Sequence, residues 1–322
     1  MFKSPSIHTF HIPVMGTGFS IDSPVKVAKY GIHSVISLVD DALIEQMRKF
    51  YCEKYHQPYT PITKHDEDFR ARRITTYLDL VHFIVEKEFE IVKNSEFSPG
   101  SEITKYFQML PNDSVLKAAY QQMICCKDTQ LQKGLQKSLR ESMKPGDINV
   151  NIMTKLDHDN YDDKDNLLPP EFSDALSALR GYAQSKLKSA IVFSAGFNRR
   201  LYGYIEQFKD FYADATGEIK KKIILKVSDF RSTIIQGKFL AKKGLWVSEY
   251  RIESGLNCGG HLFATDGLLM GPILEEFRNK RHQLVEDLHK IYNEALQIKN
   301  KLIQTLPHEV KITAQGGIGT YL

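Results

Sequence analysis

Short apolar runs rich in β-branched residues recur along the chain. Each is closed by small or polar residues, and most are followed by a stretch with helical spacing. Runs of this length and composition predict strands, and their alternation with helical patterns predicts repeated βα units on a parallel sheet. They fall at 10–15 (FHIPVM), 34–38 (SVISL), 148–154 (INVNIMT), 190–194 (AIVFS), 223–227 (IILKV), 245–252 (LWVSEYRI) and 310–313 (VKIT), about seven strands in all. Helices with recognisable ends lie between them at 24–30, stopped by Gly31, at 170–188, at 199–212 behind Asn198 as N-cap, and at 229–243, stopped by Gly244.

An alternating pattern fits a doubly wound sheet or a barrel. The doubly wound fold wants a GxGxxG turn after a strand, and the sequence has none. Even strand spacing from 148 to 245, with glycines after several strand ends, points to an α/β fold of the TIM-type (β/α)8 kind. One long interruption, 40–145, shows only helical periodicity, as at Ile74, Leu78, Val81, Val85 and Phe89. The expected organisation is a barrel domain from 1–39 and 146–322, with a helical insertion at 40–145 after strand two. Such an insertion sits above the active-site face as a lid, an oligomer contact or a packed embellishment. A second helical stretch, 268–305, places Leu269, Ile273, Phe277, Leu284, Leu288, Tyr292 and Leu296 on a core-facing stripe.

Composition narrows the class. The 322 residues are 42% hydrophobic and 25% charged, which suits a folded protein with a sizeable core. The net charge of +4 is spread along the chain and favours no nucleic-acid partner. Residues 1–13 lack the apolar region of a signal peptide, and no run reaches the about 18 apolar residues of a membrane span. Cys52, Cys125, Cys126 and Cys258 form neither a CxxC pair nor a zinc spacing, so a cytoplasmic protein without structural disulfides is expected. The acidic run 157–163 fails as a calcium loop, with Asp162 where glycine is needed and Leu168 where glutamate is needed. It reads as a solvated loop, and Lys220, Lys221 and Lys222 as a solvated turn.

In a barrel, chemistry sits just past the strand ends. The chain there reads Ser254-Gly255-Leu256-Asn257-Cys258-Gly259-Gly260-His261 after the sixth strand and Ala314-Gln315-Gly316-Gly317-Ile318-Gly319-Thr320 after the seventh. Glycines in such turns let backbone N–H groups approach an anion closely. Lys226 within the fifth strand and Lys155 after the third invite a different chemistry, Schiff-base formation as in barrel lyases.

Together with the opening IPVMGTGFSIDSPVKVAKYGIHSVISL, the segments KKGLWVSEYRIESGLNCGGH and VKITAQGGIGT resemble the nitronate monooxygenase (2-nitropropane dioxygenase-like) group of FMN-dependent TIM barrels, and more distantly the FMN domain of glutamate synthase. The resemblance implies a flavin-dependent oxidoreductase acting on a small-molecule substrate. It would place Met15 and Gly16 at the flavin ring and Asn151 on a polar contact to FMN. Gly259 and Gly260 would flank the ribityl and phosphate side, with Gly316, Gly317 and Gly319 giving backbone donors to the phosphate. His261 would be the active-site acid or base, an imidazole titrating near pH ~6.5 being suited to taking a proton α to a nitro group. Lys226 would serve the flavin's N1 and O2 region. The family's Glu-Ala before GGH is replaced by Asn257-Cys258, which removes an acid from that loop. The resemblance stops after the seventh strand's turn, so the expected barrel is C-terminally incomplete. The free edges this leaves invite pairing with another copy of the chain, and a remnant barrel that only binds ligands is the competing expectation.

Overall fold

The computed structural model describes residues 7–16, 18–38, 40–154, 157–162, 164–194, 196–253 and 270–315. Its seven strands run in chain order, and the resolved pairings are parallel. This is a parallel α/β fold with the strand order of a TIM-type barrel carried through seven strands. By packing, the chain divides into two compact units, Met1–Pro61 with Thr76–Asn149, and Ile62–Thr75 with Val150–Leu322.

The first unit holds β1 (His11–Ile12), α1 (Ser23–Val27), β2 (His33–Ser37), α2 (Asp41–Lys54), most of α3 (Phe69–Asn94), α4 (Glu102–Gln108), α5 (Val115–Cys125), α6 (Thr129–Ser142) and the start of β3 (Ile148–Ile152). β1 is shorter than the apolar run 10–15, because Pro13 has no N–H to give to a ladder. Between β2 and β3 every described element is a helix. Three of these begin on side-chain caps: Asp40 accepts from Ala42 and Leu43, Ser101 from Thr104, and Asp128 from Gln130 and Leu131. Phe89, Val92, Ile103, Phe107, Tyr120, Met123 and Leu139 form a buried cluster, with the Phe107 and Tyr120 rings stacked at 5.2 Å.

The second unit begins with the first turns of α3 and the rest of β3. It continues through α7 (Asp174–Gln184), β4 (Ala190–Phe193), α8 (Arg199–Tyr204), β5 (Lys222–Val227), α9 (Phe230–Ala241), β6 (Val247–Glu253), α10 (Met270–Ile298) and β7 (Lys311–Gln315). Three expected helices are shorter here than their apolar patterns. Pro169 and Pro170 force a 3-10 turn before α7, and Ser185 ends that helix in an extended conformation. The stretch 199–212 breaks at Phe208, an extended residue between two 3-10 turns. α10 stops at Ile298 because Asn300 turns left-handed, φ 53°, and Lys301 N–H closes back on Leu296 at 2.9 Å. Asn198 caps α8 as expected, accepting from Leu201 at 3.0 Å, and Gly244 takes the positive φ of 67° that follows α9.

One expectation is overturned outright. Lys221 is no solvated residue: it is 1% exposed, and its ammonium donates to the carbonyls of Tyr182, Ser185 and Leu187 at 3.0, 3.0 and 2.8 Å. These carbonyls lie around the end of α7, where the helix dipole favours a cation.

The strand register sorts side chains onto two faces. Val150, Ile152, Ile191, Phe193, Ile223, Leu225, Val227, Tyr250 and Ile252 share one face and are all buried. Phe193 meets Tyr202 of α8 at 5.0 Å between ring centroids, and the Tyr250 hydroxyl lies against Gly237 of α9. α3 and α7 touch with no side chain between them. A Cβ on Gly181 would meet the Ala71 carbonyl and two Ile74 carbons at 2.8 Å, while the Thr75 hydroxyl donates to the Gly181 carbonyl at 2.9 Å. Gly181→Ala is therefore expected to cost about 1–3 kcal/mol by overpacking. Gly134→Ala, in mid-α6 with open space around it, gains about 0.5–1 kcal/mol. Urea midpoints of the two variants should move in opposite directions.

Candidate active site

The opposite face of the sheet in the second unit carries polar and charged side chains in successive rungs. The lowest rung is Asn151, Val192, Ile224, Glu249 and Lys311; the next is Lys226, Arg251 and Thr313; the uppermost, at the C-terminal strand ends, is Glu253 and Gln315. A bulge makes this possible. Ile223 pairs with Val247 but Ile224 with Glu249, so Ser248 is an extra residue that reverses the phase of β6. Val247 and Ile223 face the helices, and past the bulge Glu249, Arg251 and Glu253 turn to the polar face.

The buried charges on this face are paired with one another. Lys226 Nζ lies 2.6 Å from Glu253 Oε1, with side chains 12% and 8% exposed. Gln315 Nε2 donates to the same Oε1 at 2.7 Å. One rung down, the Arg251 guanidinium holds Glu249 Oε1 at 2.8 and 2.9 Å, and the Thr313 hydroxyl donates to that oxygen at 2.6 Å. Buried charges persist only when paired and hydrogen-bonded. At the Glu253 pair the accounting leaves something over: among the described residues the second carboxylate oxygen has no partner, and the ammonium has none but Glu253. Asn151 is 2% exposed, and its side-chain oxygen is buried without a hydrogen bond.

The loops after β3 and β4 are tied together. The Asp157 carboxylate, 8% exposed, accepts from Arg200 at 2.8 Å, Asn198 at 3.1 Å and the Ala175 N–H at 3.2 Å. It is thus an anchor rather than a solvated member of the acidic run. Burial pushes the Asp157 carboxyl up, but the hydrogen bonds from Arg200, Asn198 and the Ala175 N–H outweigh it and hold the group below its ordinary 3.8. The Arg200 guanidinium, also paired with Asp159 at 2.8 Å, borders a cavity of about 410 Å³ lined by Pro170, Glu171, Leu176, Gly203, Tyr204 and Gln207. Among the described residues no group of three or more His, Cys, Asp or Glu side chains forms a metal site, and no helix is long and apolar enough to cross a membrane.

Of the residues expected at the site, Asn151 and Lys226 share the polar face of the second unit. Met15 and Gly16 belong to the first unit. Met15 is 70% exposed with its N–H bonded to the Ser20 hydroxyl at 2.8 Å, and Gly16 adopts φ 145°, a left-handed value that glycine supplies freely. His261, Gly259, Gly260, Gly316, Gly317, Gly319 and Lys155 lie outside the described residues. Glu253, Arg251, Glu249 and Gln315 were not picked out by motif. Their signal is the alternation Glu249, Arg251, Glu253 against Tyr250 and Ile252, charged residues at every second position of a strand otherwise buried. No protein-family model matches the sequence, and no curated protein sequence matches it either.

Two outcomes test the electrostatics. Lys226→Met and Glu253→Leu each leave a buried charge unpaired and should each destabilise by about 3 kcal/mol, while the double variant loses far less than the two combined; a double-mutant cycle by chemical denaturation reads the coupling. For Asp157 the depressed pKa means the stabilisation is fully present above 3.8 and is lost as pH falls through the folded value. The stability gap between the native chain and Asp157→Asn should stay constant at neutral pH and close below about pH 4.

Proposed function

We propose that this chain is an FMN-dependent oxidoreductase of the nitronate monooxygenase-like kind, acting on a small-molecule substrate. The observation that carries the reading is the Lys226–Glu253–Gln315 cluster at the C-terminal ends of β5, β6 and β7, where barrels place their chemistry. The glycine-bearing segments 255–260 and 316–319 follow directly in sequence on β6 and β7.

The donor set suits a flavin. Its pyrimidine edge offers an N–H donor and carbonyl acceptors, and the cluster offers an ammonium and a carboxylate oxygen with capacity to spare, with the unsatisfied Asn151 amide oxygen two strands away on the same face. Lys226 would hold the N1 and O2 side, its charge balancing the negative charge of a reduced ring. Gly316, Gly317 and Gly319 would give backbone N–H groups to the phosphate. His261, eight residues past the end of β6, would take or return the proton at the substrate carbon. Bound FMN would supply the electron acceptance that protein side chains lack.

Schiff-base chemistry at Lys226 is disfavoured by the same geometry. An ammonium held 2.6 Å from a carboxylate has no lone pair with which to attack a carbonyl. Borohydride with a carbonyl substrate should leave no adduct on Lys226.

The purified chain should show the visible bands of a flavin, or acquire them when titrated with FMN. Lys226→Met should weaken FMN binding about tenfold, the worth of one charge-assisted hydrogen bond. A colourless protein that takes up no FMN overturns the reading.

A further inference from the structure

The pair at the strand ends does more than neutralise a buried lysine. Glu253 Oε1 is used twice, by Lys226 and by Gln315, so its position is fixed from two strands. Its other oxygen and the remaining ammonium hydrogens have no partner among the described residues, which leaves one strong acceptor and one strong donor side by side. A ligand edge that satisfies both at once must present an N–H next to a C=O. That is the edge of a cyclic imide, and a carboxylate flanked by an ammonium accepts the N–H while the ammonium answers the carbonyl. A neutral residue in place of Glu253 would lose the first contact. A carboxylate without Lys226 would repel the carbonyl oxygen.

On this basis, and resting on the flavin reading above, we propose that Glu253 is a specificity-determining residue that accepts the imide N3–H of the flavin ring while Lys226 donates to the neighbouring carbonyl, so that the pair selects ligands by an unblocked imide edge. Glu253 is then the acid that the loop motif lacks at Asn257, relocated onto the strand.

The test compares FMN with its N3-methyl analogue, in which the donor is replaced by a methyl group and the phosphate and ring system are kept. Binding is read by flavin fluorescence quenching, which needs no turnover. The native chain should bind the methylated flavin at least about tenfold more weakly than FMN, the loss expected when a buried carboxylate oxygen is left unpaired. Glu253→Ala should bind the two flavins within about twofold of each other. Equal affinity of the native chain for both flavins, which needs no variant to observe, overturns the assignment; so does full discrimination retained by Glu253→Ala. Uptake of neither flavin by the native chain overturns the oxidoreductase reading itself, an outcome distinct from the first two.

Discussion

The second unit depends on a single phase relationship in β6. A parallel strand in an α/β fold has both faces covered, and each side chain's environment is decided by which face it takes. The extra residue Ser248 resets that phase between Val247 and Glu249. Below it, Val247 faces the helices; above it, Tyr250 and Ile252 do, packed among α9 and α10, and three charged residues go to the other side. Without the bulge, Glu249, Arg251 and Glu253 would lie under the helices as three desolvated charges, at several kcal/mol each. The polar face and the apolar face are thus two consequences of one inserted residue.

Once those charges share a face, they must be satisfied there, and the neighbouring strands supply the partners at matching or adjacent rungs. Arg251 and Thr313 of β7 converge on one oxygen of Glu249, part-way down the strands. Lys226 of β5 reaches up one rung to Glu253 of β6, which Gln315 of β7 also meets, at the strand ends. Replacing such a pair by apolar residues often stabilises a protein, so retention of a buried ion pair points to use more than to stability. Position along the strands separates the two clusters: only the Glu253 pair stands at the C-terminal strand ends, where barrels place their chemistry.

Much of this was legible in the sequence, and the reasons differ by element. β4 and β5 are short, β-branched apolar runs of strand length, and Asn198 and Gly244 mark helix ends by local capping chemistry. Where the expectation ran long, a local device cut it: Pro13 at β1, the Pro169–Pro170 pair before α7, and left-handed Asn300 after α10. At 157–163 and 220–222 composition alone misleads, because Asp157 and Lys221 carry charge and yet are buried by partners far away in sequence. Glu253 was hidden for the opposite reason. Its meaning rests on the bulge and on partners 27 and 62 residues away, at Lys226 and Gln315, and no local pattern encodes them.

Two lysines of the second unit show how far the accounting of valence can be carried. Lys221 and Lys226 stand at either end of the same stretch of chain, the first 1% exposed and the second with a side chain 12% exposed, and burial alone does not assign their roles. Their partners do. Lys221 gives a hydrogen bond to each of three carbonyls and lies 4.4 Å from the Tyr182 ring centroid, so every donor is spent on closing the end of α7. Nothing that binds could use it without first unfastening the helix. Lys226 has one carboxylate, itself shared with Gln315, and donors in reserve at the end of the sheet where ligands of such folds arrive. A buried cation with all its donors used is part of the frame. One with donors left over is a site, and the chemistry beside it, here a carboxylate oxygen likewise in reserve, says what it is built to meet.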